Sequence, residues 1–269
     1  MTEPCLDISA RRHFILSFPK AGRTLVRFLL GNYVRSRYQL TVSIAKCLEI
    51  EALTAALPGW PRIVVTHDRR CDHVPVSALV RGVDTFRDED VTLLVRDPRD
   101  VVVSWFFEKT RRYATVWGHS ADSSADLSEF VRSEFGIALV IRWMQDWGEQ
   151  LDVPGRVRFF RYEDFRADPV TSARGLLDWL GVAPVDETAL DEAVAASSFD
   201  AMRSLEASGR ARSPRLQPAD PDDPESFKLR RGVVGGYRDY LAAADIAHIE
   251  ERMARDLPAC FGYTPCRRP

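Results

Sequence analysis

Val91-Thr92-Leu93-Leu94-Val95, followed by Arg96-Asp97-Pro98-Arg99-Asp100 and then Val101-Val102-Val103-Ser104, decides the fold of this 269-residue chain. The first five residues are continuously aliphatic or β-branched. A strand with one face in water would alternate apolar and polar residues, so this one predicts a strand covered on both faces. Pro98 then opens a helix, because a proline in the first turn loses no intrahelical hydrogen bond. A covered strand that turns tightly into a helix is the repeating unit of a parallel α/β sheet.

The same pattern recurs on both sides of that segment. His13-Phe14-Ile15-Leu16-Ser17-Phe18 reads as a strand, Pro19 to Gly22 as a loop, and Leu25, Val26, Phe28, Leu29, Leu30 and Tyr33 as the apolar face of a helix. Arg62-Ile63-Val64-Val65-Thr66 and Val157-Arg158-Phe159-Phe160 predict two more strands. Helical spacing marks Leu127 to Trp147 as one long helix or two stacked ones, and helices also fit Pro169 to Leu180, Glu187 to Ala196 and Ala242 to Arg255. Ser208 to Ser226, with Pro214, Pro218 and Asp220-Pro221-Asp222-Asp223-Pro224, predicts a long loop. The expected architecture is a single α/β domain over residues 1–269, with its core at about 12–256 and a central parallel sheet of about five strands flanked by helices.

Composition narrows the function. With 45% apolar residues the chain can bury a full core, and a net charge of −2 gives no broad basic surface for nucleic acid or an anionic membrane. Met1 to Arg12 is charged and lacks the apolar stretch of a secretion signal, and no segment approaches the ~20 apolar residues of a bilayer span. A cytoplasmic protein without a membrane partner is expected. The five cysteines, Cys5, Cys47, Cys71, Cys260 and Cys266, are scattered without metal-ligand spacing, so reduced thiols and no metal are expected. Composition leaves the oligomeric state open.

Any anion site must therefore be local, and two loops supply one each. Pro19-Lys20-Ala21-Gly22-Arg23-Thr24 delivers a strand onto a helix N-terminus, where unpaired backbone N–H groups and the helix dipole attract negative charge. Gly22 permits close backbone approach, Lys20 brings a mobile charge and Thr24 a hydroxyl. Arg96 leaves the C-terminal end of a strand, where ligands sit in open α/β sheets, and Ser104 lies two helical turns further on. Arg99 and Asp100 read as a surface ion pair.

The two loops also carry a resemblance. Ser17-Phe18-Pro19-Lys20-Ala21-Gly22-Arg23-Thr24 resembles the 5′-phosphosulfate loop of sulfotransferases that use 3′-phosphoadenosine-5′-phosphosulfate (PAPS), and Arg96 to Ser104 resembles their 3′-phosphate motif. The resemblance implies that Lys20 contacts the phosphosulfate and that main-chain amides from Ala21 through Gly22, Arg23 and Thr24 to Leu25 cradle it. Leu25 stands where many members carry a tryptophan. Lys228-Leu229-Arg230-Arg231-Gly232-Val233-Val234-Gly235-Gly236-Tyr237 resembles the family's C-terminal glycine-rich segment, which implies that Arg230, Arg231 and Gly232 fold over the 3′-phosphate. Arg161-Tyr162-Glu163-Asp164-Phe165 and Ser197-Ser198-Phe199 resemble two further elements, which implies that Tyr162, Ser197 and Phe199 line the nucleotide site. Thr66-His67 matches the position of the general base, with Val65 where many members have a lysine.

The implied activity is transfer of a sulfuryl group from PAPS to a hydroxyl of a small molecule or glycan, leaving adenosine 3′,5′-bisphosphate (PAP). His67, Lys20 and Ser104 form the expected catalytic set, and no metal is needed because cationic side chains meet the leaving group. The acceptor pocket is expected along Tyr113 to Asp122 and Ser208 to Ser226, with Arg69, Arg70, Arg111 and Arg112 either binding an anionic glycan or solvated. A P-loop-like kinase or NTPase would instead place a lysine after the glycine, and a non-catalytic nucleotide-binding module would not need His67.

Overall fold

The computed structural model describes residues 12–55, 57–67, 75–79, 83–117 and 126–263. Four parallel strands, β1 (Arg12–Ser17), β2 (Arg62–Thr66), β3 (Asp90–Val95) and β4 (Arg156–Arg161), form one sheet in the order β2-β1-β3-β4. About five strands were expected; the sheet has four among the described residues.

The alternation of side chains across each strand sends consecutive apolar residues to opposite faces. Phe14, Leu16, Val91, Leu93 and Val95 pack on one side against the Pro98–Phe107, Ile137–Gly148 and Ala243–Asp256 helices. Ile15, Ile63, Val65, Leu94 and Phe160 pack on the other against the Arg23–Arg37, Pro169–Trp179 and Glu187–Ala196 helices. Both central strands are thus covered twice, which is why their sequences are continuously apolar. Each buried leucine or valine of this kind contributes about 1.5–3 kcal/mol. β4, at the edge, keeps Arg156 and Arg158 on its less covered positions.

Capping residues set the helix starts. Pro98 stands in the first turn, as the sequence predicts, and Asp97 caps it by accepting from the backbone N–H of Arg99 at 2.9 Å. Leu127 to Trp147 resolves into two helices, Leu127–Arg132 and Ile137–Gly148, because the chain breaks at Ser133 to Gly136. A helix not foreseen from spacing, Phe199–Ala207, is capped by Ser198. Residues 208–223 hold neither strand nor helix, in line with the expected loop. Among the described residues no helix is long and apolar enough to cross a membrane.

Parallel pairing brings all four strand C-termini to one edge: Leu16 pairs with Thr66, Ser17 with Leu94 and Val95 with Arg161. Beyond that edge lie, in turn, the Pro19–Thr24 loop, His67, Arg96 and Tyr162. The chain leaves β1 toward β2 and leaves β3 toward β4, so the sheet order reverses between β1 and β3, the place where α/β sheets open a ligand crevice.

Candidate active site

A cleft of about 1000 Å³, mouth included, opens at that edge. It is lined by Lys20, Gly22, Arg23, Thr24, Leu25, His67, Arg96, Ser104, Tyr162, Ser197, Phe199, Arg230, Arg231 and Gly232. Of the residues expected in the nucleotide and catalytic sets only Ala21 stands back, buried, with its N–H donating to the Phe18 carbonyl at 3.3 Å.

The first loop is held in an uncommon shape. Lys20 has φ 71° and Gly22 φ 106°, and a left-handed lysine is sterically costly, persisting only where its surroundings fix it. Gly22 precedes the Arg23–Arg37 helix and, as a glycine, has no side chain to cap it. The Tyr162 ring lies against Gly22, where an added Cβ would sit 3.0 Å from its Cδ2.

Arg96 lies over the Tyr162 ring at 4.3 Å and donates to the carbonyls of Lys20 at 3.3 Å and Val233 at 3.4 Å. One arginine therefore joins the β1 loop to the C-terminal segment. The next turn is locked by Glu163, which accepts from the Asp97 N–H at 2.9 Å and from the Tyr263 hydroxyl at 2.6 Å.

Asp100 corrects the sequence reading. Rather than pairing with Arg99 at the surface, it is buried and accepts from the N–H groups of Gly235 at 2.8 Å and Tyr237 at 3.0 Å, with Arg96 at 3.7 Å. Arg99 pairs instead with Asp97 and Glu250. Asp100 thus ties the glycine-rich segment down over the cleft. Gly232, at φ 66°, brings its backbone against Phe199, whose Cδ2 would be 2.3 Å from an added Cβ. Gly232→Ala is expected to cost about 1–3 kcal/mol through the left-handed backbone alone, read as a lower urea midpoint.

His67 follows β2, and its Nδ1 meets the Ser17 carbonyl at 2.9 Å. A carbonyl only accepts, so Nδ1 carries the proton and Nε2 is the basic nitrogen. Burial first, and the charge of Arg23 next, hold the imidazole well below its usual value, which keeps it neutral.

Sequence reasoning missed the centre of the charge network. Glu108, buried in a π-helical turn over Glu108–Arg112, accepts from Lys20 Nζ at 2.7 Å, Arg112 Nη1 at 2.6 Å and Lys228 Nζ at 3.2 Å. Burial alone would raise its pKa, but these three cations outweigh it and hold Glu108 well below the usual carboxylate range. Glu108-Lys109-Thr110-Arg111-Arg112 reads in sequence as a solvated charged turn, and only the 88-residue separation between Glu108 and Lys20 in the chain hides their pairing. Arg112, allowed as a glycan contact, is committed to Glu108 and to the Gln217 carbonyl at 2.7 Å. Arg69, Arg70 and residues 118–122 lie outside the described residues, and no residue of 208–226 lines this cleft.

The cleft suits an oxygen-rich anion. Arg96 Nε, Ser197 Oγ and Arg230 Nε line it or its walls, are buried, and find no partner within the protein. Native buried polar atoms are nearly always satisfied, so a ligand that presents acceptors here fits the donor set. Among the described residues no cluster of histidine, cysteine or acidic side chains is placed to hold a metal ion.

Residues 10–260 match the family profile described as "Sulfotransferase domain". This chain belongs to the sulfotransferase family. Similar curated proteins include cytosolic sulfotransferase 17 of Arabidopsis thaliana, 25% identical over 89% of this chain and 72% of the relative. Sulfotransferase 1A1 of Bos taurus is 24% identical over 91% of this chain and 83% of its own length. Flavonol 3-sulfotransferase of Flaveria bidentis is 25% identical over 91% and 81%. Among solved structures, mouse sulfotransferase SULT7A1 complexed with PAP superposes with a TM-score of 0.58 at 19% identity, covering 91% of this sulfotransferase and 84% of that chain. Retinol dehydratase, solved with androsterone and PAP, gives 0.61 at 17% identity over 97% and 84%. The shared fold is the parallel sheet described above.

Proposed function

We propose that this sulfotransferase draws its sulfuryl group from PAPS and delivers it to a hydroxyl of a small molecule in the cytoplasm. The observation that carries the reading is the meeting, at one sheet edge, of the Lys20 loop, Arg96 and a neutral His67. When bound, PAPS supplies a sulfuryl group on a phosphate leaving group. Lys20 and the amides of Gly22 to Leu25 hold the 5′ end of the donor. Arg96, Ser104, Arg230, Arg231 and the Gly232 amide hold the 3′-phosphate, as befits guanidinium forks and main-chain donors. Tyr162, Phe199 and Leu25 bracket the adenine, with Ser197 offering its hydroxyl beside them. His67 Nε2 takes the acceptor's proton. The name of the flavonol 3-sulfotransferase among its relatives supports a small hydroxylated acceptor.

Nucleotide selectivity tests the reading. PAP at about 100 times its Kd is expected to stabilise the native state by about 2.7 kcal/mol, raising Tm by several degrees, whereas ATP with magnesium does less. Arg96→Ala removes most of the PAP effect. An equal or larger shift with ATP and magnesium overturns the donor assignment.

A further inference from the structure

Lys228 opens the basic run but carries none of the tasks assigned above. Its position is nevertheless fixed from both ends. The N–H groups of Lys228 and Leu229 donate to Glu206, at 2.5 and 2.9 Å, and that carboxylate is fully buried. At the other end Lys228 Nζ reaches Glu108 Oε1 at 3.2 Å, while Lys20 Nζ reaches the second oxygen, Oε2, at 2.7 Å. Two ammonium groups on the two oxygens of one carboxylate are neighbours. Lys228 also stands close enough to His67 for its charge to help depress the imidazole. Lys228, Lys20 and His67 all line the same cleft. β2 adds no cation of its own on this side, since the residue two before His67 is the buried Val65.

We infer that Lys228 is a second catalytic cation, contacting the sulfuryl oxygens between Lys20 and His67, and that Glu108 is the positioning residue for both amines. The inference rests on the PAPS reading. In the transfer the acceptor oxygen bonds to sulfur and its proton passes to His67 Nε2. The bond from sulfur to the bridging oxygen breaks, and its electron pair leaves on the 5′-phosphate. Both lysines stay protonated and offset the charge that collects on the bridging and sulfuryl oxygens. Burial, opposed by Glu108 and reinforced by Lys20 and Arg112, brings Lys228 down to about 7, so an arriving anion completes its protonation.

PAPS and PAP differ only by the sulfuryl group, which makes the pair a probe of contact. Calorimetric Kd values without acceptor are compared for the wild type, Lys228→Met, Lys228→Gln and Lys228→Arg, with kcat and Tm for each. A charge-assisted hydrogen bond predicts that Met and Gln weaken PAPS by about 10-fold or more while PAP changes little. With either variant kcat falls about 100-fold, and Arg restores part of both losses. Gln can still donate to Glu108, so it reports on charge if Met unfolds the cluster. Equal weakening of PAPS and PAP, or unchanged kcat in the Gln variant, overturns the role of Lys228 and leaves the donor reading intact. A wild type that binds neither nucleotide overturns both.

Discussion

His67→Ala loses turnover by about 10²- to 10⁴-fold while PAP still binds as tightly as to the wild type. The asymmetry follows from where the ring is held. Its Nδ1 proton is committed to the Ser17 carbonyl at 2.9 Å, on a residue with no exposure, so the ring cannot flip its tautomer without breaking that bond. Nε2 is the nitrogen proposed to take the acceptor's proton. None of the groups proposed to grip the nucleotide depends on it. Because burial and Arg23 hold the imidazole neutral, the acid limb of kcat/KM in the wild type is expected well below the 6.5 of an ordinary histidine. Rates measured between pH 5 and 8 check this. An alanine variant with full activity removes His67 as the base, and an acid limb near 6.5 contradicts its depressed pKa.

Glu108→Gln is expected to destabilise the fold by about 3–5 kcal/mol at neutral pH, the usual cost of stripping one partner from a buried ion pair. Here three cations, Lys20, Arg112 and Lys228, lose their shared counter-charge at once. The sign with pH follows from the depressed pKa of Glu108. Its stabilising contribution is present above the unfolded value of about 4.5 and is lost as pH falls through the folded value. Urea titrations at pH 7 and at pH 4 give the two differences between wild type and variant. The gap narrows in acid if the carboxylate is responsible, and a gap independent of pH places the effect elsewhere.

Why some of this was legible in the sequence and some was not comes down to chain distance. The run Val91 to Val95 announces a doubly covered strand because each residue reports its own burial. Pro98 and Gly22 mark helix starts because such signals act within a few residues. Hence the strands of the sheet and the loops at its edge were visible, and the resemblance carried by those loops named most of the residues facing the cleft. Asp100 and Glu108 were not. Each is an acid beside arginines in a helix, which locally looks like solvated charge pairing. Their true partners, the Gly235 and Tyr237 amides and the amines of Lys20 and Lys228, come from segments that only the finished fold brings near. Nor does a local pattern distinguish Lys228 from Arg230 or Arg231.

The grip of Asp100 on Gly235 and Tyr237 has a consequence for the order in which the molecule is made. Translation delivers the N-terminal parts first, at about 5–20 residues per second. By Arg161 every strand of the sheet has been synthesised, and Lys20, His67 and Arg96 with them. Until the ribosome has released the stretch from Lys228 to Tyr237, however, Asp100 and Glu206 have no amides to receive and the cleft has no roof. A chain ended before that stretch would therefore carry Lys20, His67 and Arg96 without the segment that closes over them.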